Sequence, residues 1–122
     1  MALEELVAWA FVSECEIPAD VNELLVQGEV AKYAYKTVRD VAIFTNKRLI
    51  VRDSQGLSGK KVEIYTLPYS SINMYSTENA GKLFDLTAEV ELWTRAGHIK
   101  ISLSADCDVR KIDKILAESI LN

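Results

Sequence analysis

His98 is the sole histidine of the 122-residue chain, so any Ser-His-Asp or Cys-His relay would have to use it. It directly follows Gly97 at the start of a predicted strand, a place for an exposed side chain rather than a buried base. The other soft metal ligands are Cys15 and Cys107, far apart and without CxxC spacing. Zinc takes four ligands, or three and a water, so this set falls short. Gly56 and Gly59 lie in no phosphate-loop or dinucleotide fingerprint. Asp40, Glu63, Glu89 and Glu91 are scattered along predicted strands, as on a solvated face. Together these residues imply no catalytic group, no metal and no cofactor.

The basic residues of the predicted hairpin turns make a sharper candidate site. Lys36 and Arg39 flank one turn, and Lys47 and Arg48 the next. Cations gathered there would contact an anion, a lipid headgroup or a partner surface. Overall the chain carries 14 basic and 18 acidic side chains, a formal net charge of −4. An acidic protein repels nucleic acid and anionic membranes on average. The charge is unevenly placed. Residues 1–29 hold seven acids and no base, whereas residues 32–61 hold eight bases against Asp40 and Asp53. Opposite-sign segments of this kind face one another, within a subunit or between subunits. Lys32, Tyr33, Tyr35 and Lys36 interleave aromatic and basic groups as single-strand binders do. Strand alternation sends the tyrosines and lysines to opposite faces, which argues against nucleic acid.

The elements that must position these residues follow from hydrophobic periodicity. In residues 3–12 (LEELVAWAFV), Leu3, Leu6, Val7 and Ala10 match a helix. Trp9, Phe11 and Val12 fall on its other faces, so the segment needs cover on more than one side. That cover is either its own domain or a second subunit, which makes Leu6, Trp9 and Phe11 candidate interface residues, with Trp93 as another. Pro18 opens a second short helix with Val21, Leu24 and Leu25 as its stripe and Gly28 as its C-terminal cap.

From residue 29 the period becomes two. Predicted strands are EVAKYAYKTV, DVAIFT, RLIVRD, KVEIYTL ending at Pro68, SINMYST (71–77), LTAEVELWT (86–94) and HIKISLS. Asn46-Lys47, Ser54–Gly59, Asn79–Lys82 and Ala96-Gly97 supply the connections. Gly56 and Gly59 are expected to take unusual φ angles in the second of these. Within the sixth strand Leu86, Ala88, Val90 and Leu92 are expected to face inward. A final helix over 106–121 has Asp106 as expected N-cap and Val109, Ile112, Ile115, Leu116 and Ile120 as its apolar stripe.

This describes one α+β domain, mainly β, over 1–122. It comprises an N-terminal helical extension (1–27), a seven-stranded core (28–104) forming a bent sheet or partly open barrel, and a C-terminal amphipathic capping helix (105–122). The cysteine usage suits a reducing compartment. No secretory signal or bilayer-length apolar run is present in the sequence, so a cytoplasmic protein is expected.

Four blocks in order carry a resemblance: FTNKRLIVRD (44–53), QGLSGKKVE (55–63), LPYSSI (67–72), and FDL with a following ELW (84–86, 91–93). Together they resemble the bacterial pleckstrin-homology-like family over about residues 24–104. The resemblance implies two near-orthogonal sheets capped by a C-terminal helix, no enzymatic activity and no cofactor. It also implies self-association, several such domains being subunits of ring-like homo-oligomers, with another protein as a further possible partner. Lipid-binding relatives of the fold gather cations at the first hairpin, where Lys36 and Arg39 stand here. This turn is short, lacks Lys/Arg-x-Arg spacing and contains Asp40. Membrane contact is therefore the secondary expectation.

Overall fold

The structure, a computed structural model, describes residues 5–55, 60–81 and 87–122, the side chains of Glu5 and Leu6 excepted. Among the described residues eight strands form one sheet: β1 (Glu5–Cys15), β2 (Ala31–Thr37), β3 (Val41–Thr45), β4 (Arg48–Gln55), β5 (Lys61–Pro68), β6 (Ile72–Glu78), β7 (Ala88–Thr94) and β8 (His98–Leu103). The helix α1 (Val109–Ile120) follows. Sheet order is β5-β4-β3-β2-β1-β8-β7-β6.

The expected helix over 3–12 is instead, from Glu5 onward, the greater part of β1, its first two residues lying outside the described ones. Val7, Trp9 and Phe11 alternate with Ala8, Ala10 and Val12, and this two-residue rhythm wins because it turns both aromatic rings toward the core. Phe11 stacks on Tyr35 at 5.4 Å between centroids and meets Phe44 edge-on at 6.3 Å. The first half of β1 pairs in parallel with β8, from Val7 opposite Ile99 to Phe11 opposite Leu103. Its second half pairs antiparallel with β2, from Phe11 opposite Thr37 to Cys15 opposite Ala34. One strand thus joins the β2–β5 and β6–β8 halves, and seven strands become eight.

The second expected helix is a single 3-10 turn, Ala19–Glu23, entered from Pro18. Gly28, at φ +81°, bends the chain back into β2. This segment lies on the outer face of β2–β4, where Val21 covers Ala34, Val41, Ile43 and Ile50. Every residue of β3 is consequently buried. Its inner residues Ala42 and Phe44 join the main core, and Val41 and Ile43 join this second, smaller one.

Main-core residues from both halves converge on Ile112, Ile115 and Leu116 of α1, which lies against β6 and the turn Tyr69–Ser71. The N-cap of α1 is Asp108, not Asp106; its carboxylate accepts hydrogen bonds from the Arg110 and Lys111 backbone N–H groups. The expected φ angles of Gly56 and Gly59 and the inward side chain of Leu86 lie outside the described residues.

Candidate functional site

The four candidate basic residues are set by one short strand. The turn after β2 lies at one end of β3 and the Asn46-Lys47 turn at the other, roughly 15 Å apart for five extended residues. Lys36 and Arg39 therefore do not converge with Lys47 and Arg48. Lys36 and Lys47 are exposed. The two arginines are engaged by carboxylates.

Arg48 donates from Nε to Glu29 Oε2 at 2.8 Å and from Nη2 to Glu29 Oε1 at 3.0 Å. It also donates to the Leu24 carbonyl and to Thr66 Oγ1. Glu29 accepts further hydrogen bonds from Thr45 Oγ1 at 2.7 Å and from the Val26 N–H at 3.0 Å. The Arg48 guanidinium, aided by these donors and opposed by burial, holds the Glu29 carboxyl down to about 2. On the same face Arg52 donates to Asp40 and to Asp20. The acidic N-terminal segment thus meets the basic one within the subunit, and Glu29–Arg48 and Asp20–Arg52 hold the 3-10 segment against the sheet.

Arg39 reaches Asp53, Nε to Oδ1 at 3.1 Å, from a turn that leaves 60% of its side chain exposed. Beside this pair is a cavity of about 370 Å³, whose walls include Trp9, Val51, Arg52 and Tyr65. A second cavity of about 320 Å³ separates the C-terminal turn of α1 from β2 and β3, with Lys32, Tyr33, Asn46 and Ser119 in its lining.

Of the candidate interface residues, Phe11 is 1% exposed and belongs to the core, a correction that follows from the strand geometry of β1. Trp9 is half-buried and meets Tyr65 edge-on at 5.6 Å. The Leu6 side chain lies outside the described residues. Trp93 is on the outer face of β7, stacked on His98 at 5.1 Å. His98 is half-buried rather than exposed, with Nε2 3.0 Å from Glu91 Oε2. Met74 pairs with Trp93 across β6–β7 and is 55% exposed. Among the described residues, no three His, Cys, Asp or Glu side chains group as metal ligands, and no helix is long and apolar enough to cross a membrane.

The model of the bacterial PH domain family matches residues 1–120. The chain belongs to that family. This PH domain is 37% identical over 109 residues to the uncharacterized protein YjqA of Bacillus subtilis (strain 168), covering 87% of this chain and 86% of YjqA. It is 34% identical to the uncharacterized protein YozO of the same organism, covering 82% and 86%. Among solved structures it is similar to a duf1696 family protein with a pleckstrin-homology domain from Shewanella loihica PV-4, with a TM-score of 0.80, 34% identity, and 88% and 96% of the two chains covered. A pleckstrin homology domain from Shewanella amazonensis SB2B superposes with a TM-score of 0.70 at 39% identity, covering 85% of each chain. The PH fold accounts for the two sheet halves and the capping helix. Both sequence-predicted hairpins are placed as expected. The Glu29–Arg48 and Arg39–Asp53 pairs were not identified from the sequence; the acidic-then-basic charge asymmetry signals the first, and nothing in the sequence signals the second, whose two members both lie in the basic segment.

Proposed function

We propose that this bacterial PH domain is a non-enzymatic, cytoplasmic scaffold module that associates with copies of itself in a closed ring. The observation that carries this reading is the open sheet. Its two edge strands, β5 and β6, have no strand neighbour on their outer sides among the described residues. Each presents apolar surface: Val62 and Ile64 on β5 are 47% and 44% exposed, and Met74 on β6 lies beside Trp93. Exposed edge strands with apolar side chains pair with other chains unless they are protected. The two edges differ in sequence, so joining β5 of one copy to β6 of the next is a head-to-tail contact, and such contacts form a ring when the rotation between copies closes. Of the four residues considered at the outset, Trp93 is retained in the interface, together with Met74, Val62 and Ile64. Another protein with an exposed edge strand would use the same surface.

The geometry disfavours binding to anionic lipid headgroups. The two basic turns lie at opposite ends of β3, and the guanidiniums of Arg39 and Arg48 already face carboxylates. Solution mass tests the proposal, with Met74→Glu and Ile64→Glu as edge variants. A mass several times 13.7 kDa that falls in either variant supports it. A wild-type monomer at high micromolar concentration overturns it.

A further inference from the structure

We propose that the cavity beside the first half of β1 binds an organic cation, a guanidinium or alkylammonium group, in the place that Arg39 occupies in the free protein. Its origin is topological. Pairing of β1 with β2 begins at Phe11, so among the described residues Val7–Ala10 have a strand neighbour only in β8. The gap left on the other side is the cavity of about 370 Å³, within the size range of small-ligand sites.

Its walls suit a cation. Trp9 and Tyr65 meet edge-to-face, with ring planes at 64°, and aromatic faces attract ammonium and guanidinium groups. Tyr65 is fixed by donating its hydroxyl hydrogen bond to Glu63 at 2.7 Å. Asp53 Oδ1 is buried and accepts no hydrogen bond among the described residues. Arg39 Nε lies 3.1 Å from that oxygen but is not aligned to donate to it. A buried carboxylate oxygen without a donor is costly, and a ligand cation would supply one. Arg39, on an exposed turn, acts as a loosely held internal substitute.

The charge balance decides between cation and anion. Arg52 also lines the cavity, but Asp40 and Asp20 both accept from its guanidinium. With Asp53 and Glu63, four carboxylates surround two guanidiniums. An anion would have to displace Asp53 from Arg39 within that field, whereas a cation exchanges one guanidinium for another. This inference does not depend on self-association, and a monomeric protein would retain the site.

The test follows the two indole N–H resonances, assigned with Trp93→Phe, during titration of the full chain. The probes are ethylammonium chloride and arginine amide, with sodium chloride at matched ionic strength as blank and sodium phosphate as anionic probe. The Trp9 resonance is expected to shift saturably with at least one cation and with neither salt control. Arg39→Ala removes the internal competitor and should tighten binding by about threefold or more; Asp53→Asn should abolish it. Should Asp53→Asn fail to fold, Arg39→Ala still decides, because that residue lies on an exposed turn. Tighter binding of an acetyl-Gly-Arg-Gly amide peptide than of arginine amide assigns the site to a protein side chain, and equal binding assigns it to a free small cation. No saturable cation response, a response to phosphate alone, or weaker cation binding in Arg39→Ala would overturn the proposal.

Discussion

Arg48 grips Glu29 with two donors, at 2.8 and 3.0 Å, across nineteen residues of sequence. The carboxylate is buried and the guanidinium mostly so, and between them they fasten the end of the N-terminal segment to the β3–β4 hairpin. Thr45 ties the pair to the hairpin turn, since its Oγ1 donates to Glu29 and accepts from the Lys47 and Arg48 N–H groups.

This pair makes the fold acid-sensitive. The Glu29 carboxyl is lowered in the folded state from 4.5 to about 2, so its contribution is fully present above pH 4.5 and is lost as pH falls toward 2. The shift corresponds to about 3 kcal/mol. Urea midpoints should fall across that window. Glu29→Gln should lower stability at pH 7 by about 2–3 kcal/mol and flatten this part of the pH profile. An unchanged profile in the variant would show that other carboxylates set the acid limit.

The buried hydroxyl of Tyr35 has no hydrogen-bond partner among the described residues, and burial pushes its pKa up. Tyr35→Phe keeps the stack on Phe11 and removes a costly polar atom. Thermal or urea unfolding should show the variant equal to wild type or up to about 1 kcal/mol more stable. A loss above about 1 kcal/mol would reveal a partner for the hydroxyl.

Phe11 and Trp93 separate core from interface. Phe11→Ala should cost about 3–5 kcal/mol of folding stability, the range for a large buried ring. Trp93→Ala, on the outer face, should cost less than about 1 kcal/mol in the isolated domain while reducing the assembled mass. Unfolding measured at a dilution where mass is monomeric distinguishes the two effects.

Vesicle flotation should leave the protein unbound with phosphatidylserine or phosphoinositide vesicles at about 150 mM salt, where surface charges are screened beyond ~8 Å. Lys36→Glu and Lys47→Glu should change nothing. Flotation lost in Lys36→Glu would show that the first hairpin meets anionic lipid.

Much of the fold was legible because alternation is a local signal. From Ala31 to Leu103 either the two-residue rhythm or, in β3, a short run of β-branched and aromatic residues marks the strands, and the stripe Ile112, Ile115 and Leu116 marks α1. Residues 3–12 misled because Val7, Trp9 and Phe11 satisfy a strand while Leu3, Leu6, Val7 and Ala10 satisfy a helix. The choice is made by a partner 92 residues away, β8 at Phe11 opposite Leu103, which no local pattern contains. The misplacement of Phe11 follows from that one error. The site was less legible for the same reason. Lys36, Arg39, Lys47 and Arg48 are evident as turn cations, but that Glu29 and Asp53 already face two of them depends on how the chain bends at Gly28 and on the β4 register.

The central claim is that the sheet's two edge strands, β5 and β6, meet those of other copies. Sedimentation velocity across micromolar concentrations tests it most directly. The account predicts one species several times heavier than 13.7 kDa, shifted toward monomer by Ile64→Glu and by Met74→Glu. A single 13.7 kDa species at high micromolar wild-type protein would contradict it.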